Sequence, residues 1–211
     1  MNRKLFALLF IMGFALLMLT SCASTSLLHV WKDDAYSGEI KRVLIIGVTK
    51  KDNIKRSFED EFVSQFKAKG VDAVAAFRVL PSKKKLDKDE IRAKVKELDI
   101  DTVLVTRLVD RKTLETYIPT RVEVIERGPY FGPDYYHNLH GYYGQSFDII
   151  TTPGYTLVEK YIILETNLYD AKTDEIFWSV SSETYLGEPS NRLIKSLIKK
   201  LVENLTELKI L

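Results

Sequence analysis

Apolar positions fall into three regimes along the chain. After Asn2-Arg3-Lys4, residues Leu5 to Leu19 form one apolar run interrupted only by Gly13. From residue 41 to 109, strand-like runs alternate with a helical period. Residues 41–49 (KRVLIIGVT) are almost wholly β-branched or leucine, as expected of a central strand covered on both faces. Ile54, Phe58, Phe62 and Phe66 then recur every four residues, predicting a helix opened by Asn53 as N-cap and stopped by Gly70. Residues 71–80 read as a second strand ended by Pro81. Asp87 with Glu90 makes a capping-box start for a helix carrying Ile91, Val95 and Leu98 on one face, and 102–109 reads as a third strand. This spacing predicts right-handed crossovers and parallel pairing.

The third regime has a period of two, the mark of antiparallel strands. Residues 114–126 alternate, as do 156–169 (TLVEKYIILETNLY). A polar turn, Asp170 to Asp174, leads into 176–185, completing a hairpin with Trp178 and Val180 on one face and Phe177 on the other. The chain closes with a helix from Asn191 to about Leu208 behind Ser190 as N-cap. Its broad stripe of Leu193, Ile194, Leu197, Ile198, Leu201, Val202, Leu205 and Leu208 is matched to cover a sheet. The expected fold class is α/β (α+β): a mixed sheet from β-α-β-α-β, then a long antiparallel hairpin pair and a C-terminal amphipathic helix. Residues 40–211 are expected to form one periplasmic domain.

The leading apolar run is short for a bilayer span, which takes roughly 20 residues. It has the basic cap and apolar core of a secretory signal, and it ends at Leu19-Thr20-Ser21-Cys22. That tetrad resembles the lipobox of bacterial lipoproteins. The resemblance implies cleavage before Cys22, a diacylglycerol on its thiol and an acyl chain on its new amine, with no other cofactor. The alternative is an uncleaved anchor with a coincidental cysteine. The lipobox resemblance implies that residues 1–21 are a signal peptide and 22–39 a lipidated tether. As a flexible coil the tether would span roughly 20–25 Å, with Trp31 packing on the domain edge.

Charge changes the picture once the signal is set aside. Removing Arg3 and Lys4 from 31 basic side chains leaves 29, equal to the 29 acidic ones. Zero net charge gives no basic face for nucleic acid. Cys22 is the single cysteine, so no intramolecular disulfide can form, and cysteine catalysis is excluded once the thiol is acylated. No serine stands in a G-x-S-x-G context. The turn after the first strand, Gly47 to Lys51, lacks the further glycines of a dinucleotide fingerprint and is no P-loop. Glu59 with Asp60 reads as a solvated helix flank. Ser82-Lys83-Lys84-Lys85 reads as a solvated loop, with a lipid-headgroup contact as the other reading.

The segment 128–155 stands apart, holding six of the eleven tyrosines, five of the ten glycines and three of the six prolines. So long a connection is commonly functional or disordered. Tyrosine with glycine supplies rigid contact area on an adaptable backbone. Tyr130, Phe131, Tyr135, Tyr136, Tyr142 and Tyr143 are the candidate partner-binding residues; a hairpin tip with its own aromatic cluster is the competing reading. His137-x-x-His140, with Asp134 or Asp148, suggests a metal-dependent enzyme as a lesser alternative. The surrounding glycines and prolines oppose the helix that would align the two rings, and no metal or catalytic residue is assigned.

From residue 40 onward the order of elements resembles a recurring envelope domain. It is similar to the N-terminal domain of the Tol-system propeller protein, the periplasmic domain of the curli-secretion lipoprotein, and lipoprotein activators of penicillin-binding proteins. The residues carrying the likeness are Val43 to Val48, Phe58 to Gly70 ending in FKAKG, DIDTVLVTRLV at 99–109, and LYDAKTDEIFWS at 168–179. Most of all it looks like small Gram-negative outer-membrane lipoproteins, a likeness that implies a fold and a compartment but no reaction. Ala23 after the cysteine implies the outer membrane, facing the periplasm. The short tether weakens the synthase-activator likeness, and Glu123, Glu126, Glu159 and Lys160 are poor lipid-facing residues for a pore. The expected role is a non-catalytic binding or adaptor module for an envelope protein or glycan. A structural subunit of an envelope secretion or export assembly is the main alternative.

Overall fold

The computed structural model describes residues 24–81, 87–126 and 147–211. Cys22, Ser82 to Lys85 and the run holding Tyr130, Phe131, Asp134, Tyr135, Tyr136, His137, His140, Tyr142 and Tyr143 lie outside the described residues. The chain divides into two units: one holds the residues up to Lys112 together with Tyr161–Leu211, the other Thr113–Lys160.

The first unit is built on a six-stranded mixed sheet in the order β1-β8-β7-β4-β2-β3. Strand β2 (Arg42–Val48) pairs in parallel with β3 (Asp72–Ala75) on one side and with β4 (Thr102–Ile118) on the other. Strand β8 (Ile176–Tyr185) runs antiparallel to both β7 (Tyr155–Asp170) and β1 (Thr25–Lys32). The β-α-β-α-β order and the closing helix are as the periodicity predicts.

Each sheet face has its own core. On one face, Val43, Ile45, Leu104, Leu168, Trp178 and Val180 pack with Phe58, Phe62 and Phe66 of α1 (Asp52–Ala68) and Leu197, Ile198, Leu201, Val202 and Leu205 of α4 (Ser190–Glu207). On the other, Leu44, Ile46, Val103 and Val105 meet α2 (Ala76–Val79) and the Ile91, Val95 and Leu98 side of α3 (Lys88–Glu97). Burial on both faces explains why β2 reads as a continuous apolar run.

Several expectations change. Thr25–Lys32, expected as tether, is the edge strand β1, because its backbone finds a ladder on β8. Helix α1 is capped from Lys51 rather than Asn53, and α4 from Pro189 rather than Ser190. The Asp87–Glu90 capping box forms as predicted, and Gly70 ends α1 at φ 85°, a left-handed geometry that costs a glycine least. The predicted strand 71–80 stops at Ala75 and turns into α2. The predicted break between 109 and 114 is absent, since β4 runs unbroken for 17 residues.

Phe177 and Trp178, expected on opposite faces, share one core cluster. The register moves from Leu168↔Trp178 to Tyr169↔Ile176, leaving Phe177 as the extra residue of a bulge, which breaks the alternation locally. Phe177 stacks on Tyr36 with centroids 3.7 Å apart, and the Trp178 indole N–H donates to Asn204 Oδ1 at 3.2 Å.

The second unit holds the C-terminal residues of β4, the N-terminal residues of β7, and a two-stranded antiparallel sheet of β5 (Arg121–Glu126) and β6 (Phe147–Thr152). Strand β6 therefore occupies the end of the segment expected to be loop. Gly154 donates its N–H to Thr120 Oγ1 at 3.0 Å. A Cβ there would lie 2.8 Å from the Tyr117 hydroxyl and 2.9 Å from the Ile118 carbonyl oxygen, so this close approach requires glycine.

Candidate functional site

Three arrangements carry the chemistry of the described residues. The first lies in the second unit and frames the predicted binding segment. Glu126 and Phe147, the residues flanking the undescribed run, are paired directly in the β5–β6 register, followed by Ile125↔Asp148 and Val124↔Ile149. The two residues that bracket the tyrosine- and glycine-rich run are thus held side by side. The unit also exposes an unusual set of large apolar side chains: Leu114, Tyr117, Val122, Val124, Ile150, Tyr155, Leu157 and Val158. Concentrated exposure of this kind, rather than scattered single residues, marks interaction surfaces.

The second arrangement is the uncovered face of the antiparallel half-sheet. In β7 and β8, Glu165 stands opposite Ser181 and Asn167 opposite Ser179; β1 extends these rows with His29 and Trp31. Helices α1 and α4 pack in the first core and α2 and α3 in the second, leaving no helix in either core cluster over these rows, where Glu165, Ser179 and Ser181 are half-buried and Asn167 is buried among them. Their polar groups engage one another. Ser179 donates to Asn167 Oδ1 at 2.7 Å, and Asn167 Nδ2 donates to Glu165 Oε1 at 3.0 Å and to the Tyr169 hydroxyl at 3.1 Å. The Arg107 guanidinium reaches both Glu165 oxygens at 3.2 Å. Beyond them Lys112 pairs with Glu183 at 2.9 Å. The result is a preset network of donors and acceptors carried on strands.

The third was missed in the sequence. Glu59, expected on a solvated flank, has no exposed surface. Its Oε1 accepts the Gly47 N–H at 2.9 Å and its Oε2 the Phe77 N–H at 2.8 Å, while Lys55 Nζ lies 4.0 Å away. Burial pushes the Glu59 carboxyl above the usual carboxylate range, against the two backbone N–H groups and Lys55, which favour the charged form. Phe77 belongs to the first turn of α2, which has no side-chain cap of its own. Glu59 therefore caps α2 from a neighbouring helix, and this explains why the strand expected at 71–80 turns helical after Ala75. Asp60 does behave as expected and meets Arg78 at the surface. The available signal was position: Glu59 precedes Phe62 by three and Phe66 by seven residues, on the stripe that faces the core.

Among the described residues no group of three or more His, Cys, Asp or Glu side chains could hold a metal ion, and no helix is long and apolar enough to cross a membrane. Asp148 contributes its backbone to β6.

No protein-family model matches the sequence, and no curated protein matches it. Among solved structures the chain is similar to the PelC dodecamer from Paraburkholderia phytofirmans, with 13% identity and a TM-score of 0.47 over 86% of this chain and 96% of that one. It is also similar to lipoprotein GNA1162 from Neisseria meningitidis, with 12% identity and a TM-score of 0.42 over 79% of this chain and 99% of that one. A PDZ domain protein from Parabacteroides distasonis shares 8% identity at a TM-score of 0.35, over 87% of this chain and 36% of that one. At such identities and scores these likenesses carry no residue role to this chain.

Proposed function

We propose that the protein is a lipid-anchored lipoprotein of the cell envelope, held at the outer membrane by acyl chains on Cys22 and facing the periplasm. It acts as a non-catalytic binding or adaptor module and takes an envelope protein or glycan on the segment between β5 and β6. The observation that supports this most is the direct pairing of Glu126 with Phe147, the described residues on either side of the run containing Tyr130, Phe131, Tyr135, Tyr136, Tyr142 and Tyr143. Binding loops are commonly displayed in this way, with an adaptable aromatic segment on a regular support. The polar groups of the open face are already bonded to one another, which suits recognition better than proton transfer.

The test is in-cell crosslinking with residues 128–145 replaced by a short glycine-serine link that leaves β5 and β6 in place. The expected result is an unchanged thermal transition with loss of the crosslinked partner; full retention of that partner would remove the segment from the reading. The anchor is tested separately: a fatty-acid probe should label the wild type and fail to label Cys22→Ala.

A second reading, a structural subunit of a secretion or export assembly, is favoured by the exposed apolar side chains of the second unit and by Leu28, Val30 and Trp31 on edge strand β1. Light scattering after size exclusion discriminates here, since a clean monomer at high concentration counts against the assembly.

A further inference from the structure

The position of β1 shortens the link between lipid and fold, and so settles which corner of the first unit meets the bilayer if Cys22 carries acyl chains. The Tyr185 N–H donates to the Ser24 carbonyl at 2.9 Å, and Thr25 is fixed by its hydroxyl to Thr184 at 3.0 Å. Cys22 precedes Ser24 by two residues, a reach of at most about 7 Å. The headgroup layer of one leaflet is of similar thickness, roughly 5–8 Å. Acyl chains on Cys22 would therefore hold the sheet corner where β1 begins and β8 ends at the headgroups, with β1 in place of the 16-residue coil.

The same corner carries the start of α4, joined to Tyr185 by Leu186–Pro189. Lys200 Nζ donates to the Thr25 carbonyl at 2.9 Å, and Lys32 Nζ to the Leu208 carbonyl at 3.1 Å. These two bonds show that α4 runs in the same direction as β1. Its first turns, on the N-terminal side of Lys200, thus extend toward the side from which Cys22 arrives. Arg192, Lys195 and Lys199 are exposed there and spaced by three and four residues, on one face of the helix. Lys199 is 3.8 Å from Glu203, whereas no ion pair among the described residues involves Arg192 or Lys195. Leu186, in the link that leads into α4, is 38% exposed, and Glu188 is the one acidic side chain in that link.

We propose that Leu186 and the Arg192–Lys195 face of α4 form a second contact with the membrane, in which the cations meet the phosphates of anionic phospholipid and Leu186 enters the headgroup layer. The contact rests on the lipid-anchor reading. It would convert a lipid tether into an oriented attachment, with the same side of α4 always turned to the bilayer.

The test uses the full lipidated protein. Its single cysteine is blocked by acylation, so Leu186→Cys accepts a fluorophore uniquely, and Lys172→Cys, in the turn at the other end of β8, serves as the control. Both are reconstituted in vesicles of phosphatidylethanolamine with phosphatidylglycerol, and in vesicles of phosphatidylcholine alone, each carrying headgroup-linked quencher. The expected result is quenching at position 186 several-fold above that at 172 on the anionic vesicles, reduced on phosphatidylcholine and by Arg192→Glu with Lys195→Glu. Equal quenching at 186 and 172, or quenching at 186 that ignores both lipid charge and the double substitution, would overturn the contact while leaving the anchor standing. Failure of the wild-type chain to float with vesicles would instead bring down the anchor, and this inference with it.

Discussion

Two glutamates, Glu59 on helix α1 against the sheet and Glu165 on strand β7 within it, show how differently the halves of the sheet are held. Glu59 serves the parallel half, where both faces are covered; it is buried and grips two backbone N–H groups, at the end of β2 and the start of α2. Glu165 serves the antiparallel half, where one face is open; it binds only side chains, Arg107 and Asn167, within reach of water. A buried carboxylate that satisfies backbone donors is expensive to remove, because the donors are left without partners. A surface carboxylate in a side-chain network can be replaced by water at little cost. The first half is therefore structural, and the second can change its surface side chains without endangering the fold.

The largest expected effect is that of Glu59→Ala. Orphaning the Gly47 and Phe77 N–H groups in the core should lower unfolding free energy by on the order of 3 kcal/mol in urea titrations. A loss below about 1 kcal/mol would put Glu59 on a par with the open face and erase the contrast.

Glu59→Gln should cost less, about 1–3 kcal/mol, because one amide oxygen still accepts while the NH2 opposes a backbone donor. It also gives a signature in pH. The folded carboxyl of Glu59 is raised, so its contribution to stability is complete below the ordinary carboxylate value and is lost as pH rises through the folded one. The stability gap between wild type and Glu59→Gln should accordingly widen on acidification toward about pH 4.5. A gap that stays constant across that window would show that Glu59 does not titrate above its ordinary range.

The smallest effect should come from the open face. Asn167→Ala removes one accepted and two donated side-chain hydrogen bonds, yet it should cost only about 1 kcal/mol, since Asn167 is itself buried but its partners Glu165, Tyr169 and Ser179 are half-buried and can turn to water. A loss as large as that of Glu59→Ala would mean that the open network, too, is holding the fold.

Much of this was legible beforehand. The β-branched run at 41–49, the four-residue period of Phe58, Phe62 and Phe66, the capping box at Asp87 and the alternation of 156–169 each carry their own local cause, so each element appeared within a residue or two of where it was read. The open face was half visible: Glu165, Asn167 and Tyr169 alternate with Leu164, Thr166 and Leu168, but only the register shows that Ser179 and Arg107 complete the network. Cys22, Tyr130, Phe131, Tyr135, Tyr136, Tyr142 and Tyr143 lie outside the described residues, of which Glu126 and Phe147, on either side of the tyrosine-rich run, are paired.

By itself the sequence determined what short-range physics controls: which segments are helix or strand, which faces are apolar, and that Cys22 follows a secretory-type run. Tertiary structure decided what depends on partners distant in sequence. Thr25–Lys32 carries no strong strand signal of its own and becomes β1 because β8 offers an edge. The polypeptide after Ala75 turns helical because a carboxylate from α1 waits for the Phe77 N–H. Phe177 joins Trp178 in one core because the register with β7 slips by a residue. In each case the deciding hydrogen bond joins positions whose proximity no local pattern encodes.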